Sequence, residues 1–195
     1  MQTENLIQSL IEQTRQISNQ VEKVKDDDLQ ILTWKENPTS WNILECLEHL
    51  NLYGDFYLPK IERKIQNSTT KSETEFKSGL LGGYFAKIML PKEKLNKMKT
   101  FKDKNPLNNH LDKAVIEKFS TQLLTLLNLL NKSRNVSLNK VKIETSISNF
   151  IKLKLGDTFQ FFVNHIIRHF KQIDRIKHQQ KILTANSLHR LVQEG

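Results

Sequence analysis

One cysteine, Cys46, occurs in 195 residues, so the chain can form no intramolecular disulfide and gives no reason to expect an oxidising compartment. No apolar run approaches the roughly 20 residues that a membrane-spanning helix requires. The opening Met1-Gln2-Thr3-Glu4-Asn5 lacks the basic segment and apolar stretch of a secretory signal. These absences predict a cytoplasmic protein with no membrane partner. No internal repeat of fixed period is visible. The length fits one domain with a sizeable core better than two. The expected organisation is a single domain over 1–195, with its core over about 5–180 and a tail over 181–195.

Positive charge is in surplus: 30 Lys and Arg against 21 Asp and Glu leave a formal charge of +9. Much of the excess sits in Lys87, Lys92, Lys94, Lys97, Lys99, Lys102 and Lys104, opposed by Glu93 and Asp103. A nucleic-acid surface interleaves cations with stacking aromatics, or reads bases with arginine. Here nearly all the cations are lysine, with Phe101 the one aromatic among them. The segment reads as a solvated loop and argues against a nucleic-acid partner. Its alternative use is attraction of an anionic substrate or a phosphate backbone.

Residues 4–25 place Leu6, Ile7, Leu10, Ile11, Ile17, Val21 and Val24 three and four apart, which predicts one greasy stripe on a helix. Pro38 precedes Thr39 and Ser40, two candidate N-caps for a second long helix over about 41–65. Its apolar positions are Ile43, Leu44, Leu47, Leu50, Phe56, Tyr57 and Ile61. Residues 66–108 are the least regular, and read as a long crossover holding a short helix around Tyr84–Leu90. A third long helix is expected over about 112–132, with Ile116, Phe119, Leu123, Leu126, Leu127 and Leu130 inward. Val136 to Ile143 alternates as an extended segment does, but has no evident partner to make a sheet. Asp157 is the expected N-cap of a fourth long helix ending near Gln179, with a further helical turn around Leu188–Val192. Four amphipathic helices and one long crossover predict an all-α four-helix bundle.

The chemistry lies in His165-Ile166-Ile167-Arg168-His169, in the middle of the fourth helix. Residues four apart sit one turn along and about 40° around the axis, so both imidazoles point the same way, about 6 Å apart. Two ring nitrogens so placed can share one ion at about 2.0–2.1 Å each. Phe162 and Ile173 lie on the same side, which turns the pair towards the bundle interior. An HxxxH alone also fits two interior histidines bonded to carbonyls. His49, mid-helix on the second long helix, shifts the reading to a three-imidazole site with an open coordination position. Asn42, Glu45, Tyr53 and Phe56 share its stripe.

Two neighbouring motifs do not fit. A zinc-protease helix carries Glu directly after the first histidine, where this chain has Ile166. A di-iron bundle needs Glu three residues before its histidines, where this chain has Cys46, Phe162 and Ile166. His110, His178 and His189 fall at cap, end and tail positions and read as surface residues. Around the triad, Gln172 lies about 20° from His165 on the helical wheel, placed to bond a ligand or a metal-bound water. Arg168 lies about 60° to the side, where pairing with Glu45 or another acid is open. Glu45 is a candidate for orienting a histidine or acting as general base, or is a plain surface carboxylate. Cys46 reads as a buried small side chain.

The stretch Trp41-Asn42-Ile43-Leu44-Glu45-Cys46-Leu47-Glu48-His49-Leu50 resembles the opening of the second helix in the DinB/YfiT-like metalloenzyme superfamily. Leu155-Gly156-Asp157-Thr158-Phe159 and His165-Ile166-Ile167-Arg168-His169-Phe170-Lys171-Gln172-Ile173 resemble its fourth helix, and Lys97-Met98-Lys99-Thr100-Phe101 its loop after the crossover. The resemblance spans roughly residues 5–180. It implies a DinB-type four-helix bundle in which His49, His165 and His169 bind zinc, nickel or a similar ion, often as a homodimer. Members with an assigned activity are similar to thiol-dependent S-transferases that use bacillithiol or mycothiol. The expected partner is a small-molecule substrate, with a low-molecular-weight thiol as possible cofactor. A metal-dependent hydrolase is the alternative activity. A non-catalytic metal-binding stress-response protein is the alternative from another class.

Overall fold

The computed structural model describes residues 1–90 and 100–193, with the side chains of 186–193 left out. Lys92, Glu93, Lys94 and Lys97-Met98-Lys99 of the lysine-rich segment lie outside the described residues, as does the side chain of His189.

Four long helices carry the architecture: α1 (Thr3–Lys25), α3 (Ile43–Gln66), α5 (Ala114–Lys132) and α6 (Leu155–Gln193). Two shorter ones, α2 (Leu29–Leu32) and α4 (Leu80–Met89), lie in the connections. The stripe expected on α1 is buried at every position named above. α3 packs on α5 and α6, α1 packs on the same two, and α4 lies along α6. Phe159, Phe162, Val163, Ile166, Phe170, Ile173 and Ile176 of α6 are all buried. Each such apolar side chain stabilises the fold by about 1.5–3 kcal/mol relative to exposure. On α5 the inward set includes Leu129, whereas Leu127 is half-buried. No described helix is long and apolar enough to cross a membrane.

Five local expectations are corrected. Neither Thr39 nor Ser40 caps α3: the N-cap is Asn42, whose Oδ1 accepts the Glu45 N–H while Glu45 Oε2 accepts the Asn42 N–H. That reciprocal capping box satisfies two backbone donors at once. The short crossover helix begins at Leu80 rather than Tyr84 and takes in Gly82 and Gly83. Of the segment expected to be extended, residues 136–141 form a bend and a turn, and only its end is extended and finds a partner: β1 (Lys142–Glu144) pairs antiparallel with β2 (Lys152–Lys154), in the register Ile143 opposite Leu153. Both of these face inward, while lysines 142 and 152 point out.

α6 starts directly off β2 at Leu155, so Asp157 lies inside its first turn and is not its N-cap. Nor does α6 stop near Gln179. It runs 39 residues, against 19 to 24 for the other three long helices. Nothing from Gln180 to Ser187 is a glycine or proline that would end it. The residues from Lys181 to Ala185 are exposed where the helix outruns its neighbours.

Candidate metal centre

The capping box at Asn42 sets the start of α3, and His49 follows within its second turn. His165 and His169 sit one turn apart on α6, which packs against α3. All three imidazoles are buried, and their ligand atoms lie within 4.8 Å of one another. His49 Nε2 is 3.2 Å from His165 Nε2, and His169 Nε2 is 3.0 Å from the same atom. Two nitrogens bound at about 2.05 Å to one tetrahedral ion are about 3.3 Å apart, so these two spacings are close to those of shared ligands.

Outer hydrogen bonds fix two of the rings. His49 Nδ1 is 2.6 Å from the Lys104 carbonyl, to which it donates. His169 Nδ1 likewise donates to Gln172 Oε1 at 3.0 Å. Each proton on Nδ1 leaves a bare lone pair on Nε2, and both lone pairs aim at His165 Nε2. That atom carries at most one proton, so it cannot serve both neighbours with linear hydrogen bonds. His165 Nδ1 is also buried without a partner. A cation at the convergence point removes the conflict by accepting all three lone pairs. The donor set, three neutral nitrogens without a carboxylate, suits a divalent transition-metal ion that favours imidazole. The residues present therefore fit a divalent ion.

Electrostatics favours the protonation state that binds metal. Burial pushes the His49 imidazole down to about 4; the Lys104 ammonium adds to this, and the hydrogen bond to the Lys104 carbonyl opposes it. Burial holds His165 and His169 well below the usual histidine range, with the neighbouring imidazoles and Arg168 adding to it. All three rings are thus neutral at pH 7, as ligation requires.

A model of the DinB superfamily matches residues 10–173. The chain belongs to that superfamily. No match was found among curated proteins or among solved structures.

In this DinB domain the other sequence-predicted residues fall as follows. Gln172 touches His169, as described. Arg168 is buried beside the triad, where burial and the charge of Arg175 lower its pKa. Glu45 is fully buried, but its carboxylate is engaged by Lys35, by the Asn42 N–H and by the Asn108 N–H rather than by Arg168. Cys46 is buried, and burial pushes its thiol far up. His110 and His178 are exposed, as expected.

Sequence reasoning gave no role at the site to several contributors. Trp41 covers two of the imidazoles, its ring centre 4.7 Å from that of His49 and 5.9 Å from that of His169. Tyr53 closes the other side, 5.0 Å from His49 and 4.6 Å from His165. The i, i+4 step from His49 signals Tyr53, and the family's opening tryptophan signals Trp41. The Lys104 carbonyl has no signal, because any residue can supply a backbone oxygen. A cleft of about 400 Å³ lies beside Lys35, Glu45 and Asn108 and is not lined by the imidazoles.

Proposed function

We propose that this DinB-superfamily chain is a divalent-metal-dependent enzyme, and that it transfers a low-molecular-weight thiol of the bacillithiol class to an electrophile. The observation that carries the reading is the convergence of three neutral Nε2 atoms with no carboxylate among them. A zinc or nickel ion held there keeps a charge near +2 and a free position, and so would favour a bound thiol as its thiolate. The overall reaction joins the thiol sulfur to carbon: R–SH and R′–X give R–S–R′, with the proton and X⁻ released.

The chain's own residues orient and shield. Lys104 and Gln172 hold two rings in the tautomer that leaves Nε2 bare. Trp41 and Tyr53 keep water from the ring faces. The Lys104 ammonium, close enough to His49 to help depress its imidazole, is paired with the Asp103 carboxylate at 2.9 Å. A cytoplasmic setting, where small thiols stay reduced, agrees with this chemistry.

The test is a thiol-consumption assay on the zinc- or nickel-loaded chain, offered bacillithiol, mycothiol, glutathione, coenzyme A or cysteine with an alkyl-halide electrophile. Conjugation above that of His165→Ala supports the proposal. No conjugation above that of the variant with any of these thiols overturns it, and ester cleavage without any thiol would mark a hydrolase instead.

A further inference from the structure

Three hydrogen bonds stitch the segment 104–108 to the start of α3. His49 Nδ1 donates to the Lys104 carbonyl, Trp41 Nε1 donates to Asn105 Oδ1 at 3.1 Å, and the Asn108 N–H donates to Glu45 Oε1 at 2.6 Å. The first two end on groups that touch the candidate metal centre, and the third ends on Glu45. Asn108 is the one non-glycine residue with positive φ among the described residues, at 64°. Asparagine tolerates that left-handed conformation better than most side chains, but still needs holding there. Glu45 accepts its backbone N–H, and Lys35 Nζ binds both Glu45 Oε1 at 2.7 Å and Asn108 Oδ1 at 3.1 Å.

We infer that Glu45 is a positioning residue: by anchoring Asn108 it keeps the Lys104 carbonyl against His49 and Asn105 against Trp41, and so sets the tautomer and aim of one metal-binding imidazole. The inference rests on the metal-binding reading of the triad. Its chemistry is specific to a carboxylate. Oε2 accepts from Asn42, while Oε1 accepts from Asn108 and faces the Lys35 ammonium. An amide cannot repeat this. Glutamine would present an NH2 group to one of the two backbone donors and leave Lys35 without its counter-charge. The helix start would then compete with the 104–108 segment for one acceptor, and the carbonyl facing His49 would lose its anchor. A ring free to exchange tautomers spends part of its time with a proton on the ligating nitrogen.

The test uses full-length Glu45→Gln and His49→Ala, with Zn²⁺ as the probe. The measurements are competition against a chromophoric chelator and 15N spectra of the imidazoles in the metal-free chain. For Glu45→Gln we expect Zn²⁺ affinity to fall about 10- to 100-fold, with loss of the hydrogen-bonded Nδ1 proton of His49. Unchanged affinity and an unchanged His49 spectrum, accompanied only by a lower Tm, would make Glu45 a helix cap and overturn the inference. Zn²⁺ retained by His49→Ala would instead overturn the metal-site reading itself. Should Glu45→Gln not fold, Lys35→Met perturbs the same anchor from the outside. A several-fold weaker Zn²⁺ affinity there supports the inference, and none overturns it.

Discussion

Asp157, in the first turn of α6, accepts the backbone N–H of Gly79 at 2.9 Å and so caps a helix other than its own. Its other oxygen accepts from Ser78 Oγ. α4 approaches so closely that a Cβ on Gly82 would lie 2.3 Å from the Asp157 carboxylate. The two residues should therefore be energetically coupled. Gly82→Ala overpacks the contact and should cost about 1–3 kcal/mol. Asp157→Ala removes two part-buried hydrogen bonds, each worth about 0.5–1.5 kcal/mol. Chemical denaturation of the double variant should show markedly less than the sum, because the truncated aspartate makes room for the new methyl. Strict additivity would mean that the two do not share this contact.

That contact also shows where sequence reading stops. The four long helices were legible because their apolar stripes repeat at helical spacing, and His165 and His169 because i, i+4 residues share a face. His49 was legible through its own stripe, which Tyr53 extends. An acid beside Gly156, by contrast, looks like the start of its own helix, and only packing reveals that it serves α4. The hairpin escaped notice because β2 is three residues long and merges into α6. Residues 181–185 carry no periodic stripe because all five are exposed, not because the helix ends.

Metal should raise stability by mass action, since three ligands from α3 and α6 meet only in the folded chain. At a free Zn²⁺ concentration of about 1,000 times Kd the gain is about 4 kcal/mol. For a domain of this size that corresponds to about 8–16 °C in Tm. Differential scanning calorimetry with and without a chelator measures it. His169→Ala should abolish most of the increment. An increment that survives in the variant would place the ion elsewhere.

The metal-free chain should weaken in mild acid. The His49 imidazole is depressed from 6.5 to about 4, so the unfolded chain binds more protons than the folded one between those pH values. Stability rises with pH wherever the unfolded state holds more protons. The contribution is therefore fully present above about pH 6.5 and is lost as pH falls through 4. From His49 alone it amounts to roughly 3 kcal/mol. Urea midpoints measured from pH 7.5 to 4 should fall more steeply for the native chain than for His49→Phe. Parallel curves would mean that this ring is not buried in the neutral form.

Cys46 bears on which sulfur can react. Its side chain is wholly buried on α3, and burial, reinforced by the charge of Glu45, pushes the thiol far above the range in which it ionises. Only a thiolate is an effective nucleophile, so this thiol should be inert in the folded chain. Ellman's reagent at pH 8 should label it in denaturant and leave it nearly untouched in native buffer. Cys46→Ala should retain thiol-transfer activity while losing about 1 kcal/mol of stability to the vacated volume. Loss of turnover in a variant that is still folded and still binds Zn²⁺ would make Cys46 a participant, and the sulfur transferred would then not come solely from a bound small thiol.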